Sequence, residues 1–210
     1  MPRPSPAERR AALRATRATP LPPDERRRAL IEATRPLVLT HGLDVTTRQI
    51  AEAAGVAEGT IFRAFETKGE LFCAVMQDAL APEPIVAQIK DVPADLDLAA
   101  TVAWLVDLLS TSARRTRALF AALAHAKPRE HLNIGPRTHE ERDEAITAAL
   151  MTVLSRFDEE LRVSPTTAAW AVKGQAMAIA HTLPTADDPA ITEPRMVASL
   201  LLNGIANHPC

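Results

Sequence analysis

The sequence predicts an all-α chain, and three observations carry that expectation. Its 210 residues include no tyrosine, five phenylalanines and two tryptophans, whereas strands favour aromatic and β-branched side chains. Alanine and leucine, both strong helix formers, are abundant instead. Apolar residues recur three and four positions apart in one stretch after another, the spacing of a helix face. The length suits one large or two small domains with a buried core. Two are expected: a three-helix head over residues 24–81 containing a helix-turn-helix, and a larger helical domain over 82–210.

An arm over residues 1–23 precedes the head. It holds Pro2, Pro4, Pro6, Pro20, Pro22 and Pro23 with Arg3, Arg9, Arg10, Arg14 and Arg17, a composition of flexible chain around a short helix at 7–18. It reads either as a solubilising tail or as a basic arm whose arginines reach phosphates or a minor groove. Asp24 is then placed to cap a helix running to residue 41, with Leu30, Leu37 and Val38 inward and Gly42 ending it. Pro36 removes one hydrogen bond in its middle and predicts a kink.

The stretch 45–71 reads as a helix-turn-helix. Thr46 or Thr47 caps a first helix, Ile50, Ala51 and Ala54 form its apolar face, and Gly55 supplies the left-handed residue that ends it. Val56 plugs the turn. A second helix over 58–64 turns Ile61 and Phe65 inward, which leaves Glu58, Gly59, Thr60, Phe62 and Arg63 facing out as a strip of the kind that meets a major groove. The next helix, 68–81, buries Leu71, Phe72, Val75 and Met76, and Pro82 with Pro84 stops it at the domain boundary.

The remainder is helical at 95–126, 138–161, 164–182 and 195–207, with turn residues at 127–136 and a loop at 184–194. Leu98, Val102, Leu105, Leu108 and Leu109 form one stripe of the first of these segments and Leu119, Phe120 and Leu123 another, with Arg114, Arg115 and Arg117 read as a solvated break between them. Ile146, Leu150, Val153, Leu154 and Phe157 face inward in the second. Ser164 followed by Pro165 is a helix start. The last two helices carry more apolar surface than a small core covers. Ala168, Ala171, Gly174, Met177, Val197, Leu200, Leu201 and Ile205 are therefore candidates for a homodimer interface, with burial inside the chain as the rival reading.

Charge and chemistry narrow the function. The net charge of −2 divides into +3 over residues 1–72 and −5 over 73–210, the polarity of a nucleic-acid-binding head on an acidic body. Cys73 and Cys210 have no metal-ligand spacing and suggest no disulfide framework, which fits a reducing cytoplasm. No run of about 18 apolar residues occurs and the arm lacks a signal peptide's apolar core, so no membrane partner is expected. Phosphate loop, nucleophile elbow, HExxH and paired cysteines are all missing; no catalytic residue, metal or cofactor is expected, and an enzyme would need a site built from scattered residues. His125, His131 and His139 do not share a helix face. Trp104, Leu108, Phe120, Met151, Phe157 and Trp170 are candidates to line a ligand cavity, against the plainer reading that they are core.

Thr46, Ile50-Ala51, Ala54-Gly55-Val56, Gly59-Thr60, Phe62, Phe65 and Lys68 stand at the spacing of one known pattern. On them, residues 24–81 resemble the DNA-binding domain of the tetracycline-repressor (TetR) family. The resemblance implies double-stranded DNA as partner, met through Thr47, Arg48, Glu58, Gly59, Thr60, Phe62 and Lys68. It also implies repression of a palindromic operator by a homodimer that a small-molecule effector releases. The chemistry is compatible: Thr47 and Lys68 at helix starts suit phosphates, Arg48 and Arg63 suit guanine N7 and O6, and Glu58 suits a cytosine amine. Three positions depart from the pattern. Ala57 replaces a capping serine, Phe62 a tyrosine, and Ala64 a histidine or tyrosine. These losses keep open an alternative, a small-molecule-binding or scaffold protein whose head no longer binds DNA selectively.

Overall fold

The computed structural model describes residues 22–124, 136–181 and 193–205. The expectations for the arm's arginines, His125, His131, most of the 127–136 and 184–194 connections and Cys210 lie outside the described residues. Nine α-helices occur among those described: α1 Pro23–His41, α2 Thr47–Ala53, α3 Ile61–Ala64, α4 Lys68–Leu80, α5 Pro82–Lys90, α6 Leu98–Ala124, α7 Pro136–Leu154, α8 Pro165–His181 and α9 Pro194–Ile205. A 3-10 turn at Glu58–Thr60 leads into α3 and another at Ser155–Phe157 follows α7.

Asp24 does not cap α1, contrary to the sequence expectation. Pro22 occupies the cap position with no side-chain hydrogen bond and Pro23 begins the helix, while Asp24 and Glu25 lie in the first turn, where acidic groups complement the helix dipole. The helix continues through Pro36 to His41, and the carbonyl that Pro36 cannot serve belongs to exposed Glu32. Gly42 follows at φ +59°, and a Cβ added there would sit 2.9 Å from the carbonyl oxygen of Ala122 on α6. Glycine is thus required twice over, by its dihedral and by the close approach of two backbones.

Pro82 and Pro84 do not simply stop α4. Ala81, extended at φ −53° and ψ 129° as a residue before proline must be, ends α4 and begins α5. Nor do Arg114, Arg115 and Arg117 break the next segment. They lie within α6, a continuous helix of 27 residues, about 40 Å at 1.5 Å per residue. The second segment of the C-terminal region ends earlier than residue 161, at Leu154.

Two apolar cores result. In the head, Leu30, Val38, Ile50, Ile61, Phe65, Leu71, Phe72 and Val75 pack with Leu119 and Leu123, which come from the far end of α6. The larger core joins Ile85, Ile89, Val102, Leu105, Leu150, Leu154, Ala168, Val172, Ile179 and Val197 from α5 to α9. Helix α6 therefore serves both cores, so the head is closed by a helix of the body. No described helix is long and apolar enough to cross a membrane.

Candidate nucleic-acid interface and ligand cavity

The helix-turn-helix is built by short-range chemistry. Thr46, not Thr47, caps α2: its hydroxyl accepts from the Gln49 amide at 3.2 Å while Gln49 Oε1 accepts from the Thr46 amide at 2.8 Å, a reciprocal capping box. Gly55 at φ +65° turns the chain. Ile61 and Phe65 are buried, which fixes the rotation of the 3-10 turn and α3. Glu58, Gly59, Phe62 and Arg63 are consequently exposed, Phe62 by 54%, and Thr60 is half-buried. Nothing stands within 4 Å of a Cβ placed on Gly59, so the strip is open where another molecule would approach closely.

Several expected DNA contacts already have partners within the chain. Thr47 donates its hydroxyl hydrogen to Glu58 Oε1, joining the start of α2 to the start of the 3-10 turn that leads into α3. Arg48 pairs with Glu52 at 3.0 Å across one exposed turn. Lys68 Nζ donates to the carbonyl of Leu43 at 2.6 Å and lies 5.2 Å above the Phe72 ring. Burial lowers its pKa, and Asp44 opposes that shift. Arg63 has no hydrogen-bonding or ionic partner among the described residues and points to solvent with its donors available.

A positioning residue escaped the sequence reading. Arg27 on α1 donates to the carbonyl of Ala64 at the end of α3, pairs with Glu70 at 3.2 Å and stacks 4.1 Å above Phe65. Glu70 also accepts from the Glu66 amide at 2.6 Å, and this bond first, then Arg27, holds its carboxyl below the ordinary range. Arg27 sits in an arginine run of α1 that looks solvated in sequence, and only the packing of Phe65 against α1 selects it.

The six cavity candidates separate. Phe120 and Trp170 line a cavity of about 530 Å³ that α4 to α8 form and that opens to solvent beside the exposed Trp170 and Met177, with Leu80, Ile85 and Ile146 in its wall. Trp104 and Leu108 line a different hollow of about 550 Å³ between α1, α4, α5 and α6. Phe157 is buried core and Met151 packs against that core, accepting a weak hydrogen bond from Thr166 at 3.7 Å; neither lines either space. In the larger polar group of the first cavity, Lys173 is fully engaged, by Asp143 Oδ1 at 2.9 Å, Asp143 Oδ2 at 2.8 Å and Thr147 Oγ1 at 2.9 Å. Its ammonium also lies 3.7 Å above Trp170.

The interface candidates divide as well. Ala168 and Val197 are buried in the chain's own core and offer nothing to a partner. Ala171 and Leu201 are half-buried against that core. Gly174, Met177 and Leu200 are exposed, Met177 by 44% and Leu200 by 64%, beside Trp170 at 56%. The side chain of Ile205 lies outside the described residues.

Comparison with known proteins agrees with this architecture. Residues 30–75 match the family model of bacterial regulatory proteins, tetR family. The fold is similar to that of a TetR-family transcriptional regulator from Mesorhizobium loti, with TM-score 0.61 and 17% identity over 90% of this chain and 100% of that one. It is equally similar to a TetR transcription regulator from Haloarcula marismortui, with TM-score 0.61 and 21% identity over 88% and 100%. SmeT, the repressor of the Stenotrophomonas maltophilia multidrug efflux pump SmeDEF, has TM-score 0.55 and 17% identity over 91% and 92%. The head thus matches the tetR family of bacterial regulatory proteins over residues 30–75, and the chain as a whole shares the fold of these TetR-type regulators.

Proposed function

We propose that the protein is a homodimeric one-component repressor whose two heads bind a palindromic operator and whose body releases it on binding a small molecule. The observation that carries this reading is the position of α4. Its Leu71, Phe72, Val75 and Met76 belong to the head core, and its last residue, Leu80, is part of the cavity wall. A ligand that displaces the wall acts on the same helix that supports the recognition element. A two-fold pair of heads would read half-sites about one turn, ~34 Å, apart. Arg63 is the leading base-reading group, and the exposed Trp170, Met177 and Leu200 supply the apolar face for a second copy.

A gel shift with DNA from upstream of the protein's own coding sequence tests the reading. A discrete complex that survives excess random DNA and runs as two protomers supports it. Equal loss to specific and random competitor favours the second reading, a ligand-binding or scaffold protein with an unselective head. That second reading draws on one observation: Thr47, Glu58 and Lys68 are engaged within the chain.

A further inference from the structure

Arg142 on α7 is the unusual group of the α4 to α8 cavity. It is half-buried, and burial alone lowers its pKa, with no neighbouring charge offsetting the shift. It has no carboxylate partner among the described residues. Its Nη1 donates to the carbonyl of Ala81 at 2.7 Å and its Nη2 to Ser112 Oγ at 3.3 Å. A guanidinium has five N–H donors and stays protonated, so it brings a full positive charge and spare donors to a largely apolar wall. The other basic groups in that wall besides Lys173 are Arg117, His139 and His181, all exposed to solvent where Arg142 is half-buried. Lys173 does not compete for an anion, because all three of its donors are taken and Asp143 neutralises it.

We propose that the cavity takes an apolar anion, a carboxylate on a hydrophobic body, and that Arg142 is both its anchor and the latch by which binding loosens helix α4. The inference rests on the effector reading above. A planar fork fits a carboxylate with two parallel bonds, and a charged acceptor binds it roughly twice as strongly as the neutral carbonyl it now holds. The anion therefore draws Arg142 from Ala81. Ala81 is the single residue between α4 and α5, and the bond from Arg142 ties that joint to α7 while Ser112 ties it to α6. Losing it frees the body end of the helix whose other end stands in the head core.

The test uses the full chain carrying Trp104→Phe, which removes the indole of the other hollow and leaves Trp170 as the reporter of this cavity. Decanoate, decanol and decyltrimethylammonium share an apolar tail and differ in charge. A charge-assisted pair formed in place of a neutral contact implies that decanoate binds about tenfold tighter than decanol or more. Arg142→Gln is expected to erase that preference while leaving decanol affinity unchanged. Hydrogen exchange of residues 78–85 is expected to rise with decanoate and not with decanol. Decanol or the cation binding as well as decanoate would overturn the inference and leave the cavity reading standing, as would a preference that survives Arg142→Gln, or unchanged exchange at saturating decanoate. No response to any of the three probes would remove the ligand-cavity reading itself and the inference with it. Should Arg142→Gln fail to fold, Arg142→Lys decides: it keeps the charge but loses the fork, so the preference falls several-fold, and an unchanged preference overturns the proposal.

Discussion

Thr47 gives its hydroxyl hydrogen to Glu58, so the two helix starts that would face DNA are bonded to each other. This link braces α2 against the 3-10 turn, where Ala57 supplies no side-chain cap. Thr47→Val and Glu58→Ala are expected to be non-additive in urea unfolding, with a coupling of about 0.5 to 1.5 kcal/mol for an exposed hydrogen bond. Additive losses would mean that the bond contributes nothing to the head.

Arg63 is a solvent-facing cation of α3 with its donors free among the described residues. Arg63→Ala is expected to relax preference at one base position, costing about 1 to 3 kcal/mol against the preferred base and little on random DNA. Equal losses on both, measured by titration at fixed salt, would assign it to a phosphate.

Lys68 invites a different expectation. Because its ammonium holds the Leu43 carbonyl and is partly shielded over Phe72, it acts mainly by fixing the start of α4. Lys68→Ala should weaken binding to all sequences alike and lower the stability of the head, while the salt slope changes by clearly less than the roughly one unit that a lost phosphate contact gives. A drop of about one unit in the slope would instead place the ammonium on the DNA backbone.

Gly42 and Gly55 form a matched pair, since both have positive φ but only Gly42 meets another backbone. Gly55→Ala should cost about 1 kcal/mol for the dihedral alone. Gly42→Ala adds a Cβ 2.9 Å from the Ala122 oxygen and must part α1 from α6. Its urea midpoint should fall clearly further than that of Gly55→Ala. Equal midpoints would show that the head and α6 separate at no cost.

Local chemistry made the head legible in the sequence. Gly55, the Ile61 and Phe65 pair and the threonine before α2 each declare a turn, a face or a cap within a few residues. What was not legible depends on contacts far apart in the chain. The arginines of α6 look like a break because three charges in four residues suggest solvent, yet a helix spanning two cores has a stretch between them where only one side is covered. Pro82 reads as an end, and its equal fitness as a first helical residue becomes visible only when Ile85 and Ile89 find a core. Arg27 and Arg142 look like ordinary surface cations until Ala64 and Ala81, 37 and 61 residues away, present their carbonyls.

The proposed dimer face is open to the same discrimination by burial. Leu200 is 64% exposed and Val197, one turn earlier on α9, is 1% exposed, so two substitutions on one helix separate partner contact from core. Leu200→Glu removes an apolar group that only a second copy would cover, and it should leave helicity and melting of the monomer intact while sedimentation shows loss of the dimer. Val197→Glu buries a charge without a partner and should unfold the body, since such a change costs several kcal/mol at least. With one head per particle, Leu200→Glu should also lose most of its operator affinity, because the second half-site no longer binds as part of the same particle. A wild-type chain that sediments as a monomer at micromolar concentration, or a Leu200→Glu chain that remains a dimer, would take α9 out of the interface and leave Trp170 and Met177 on α8 as the face to be tested.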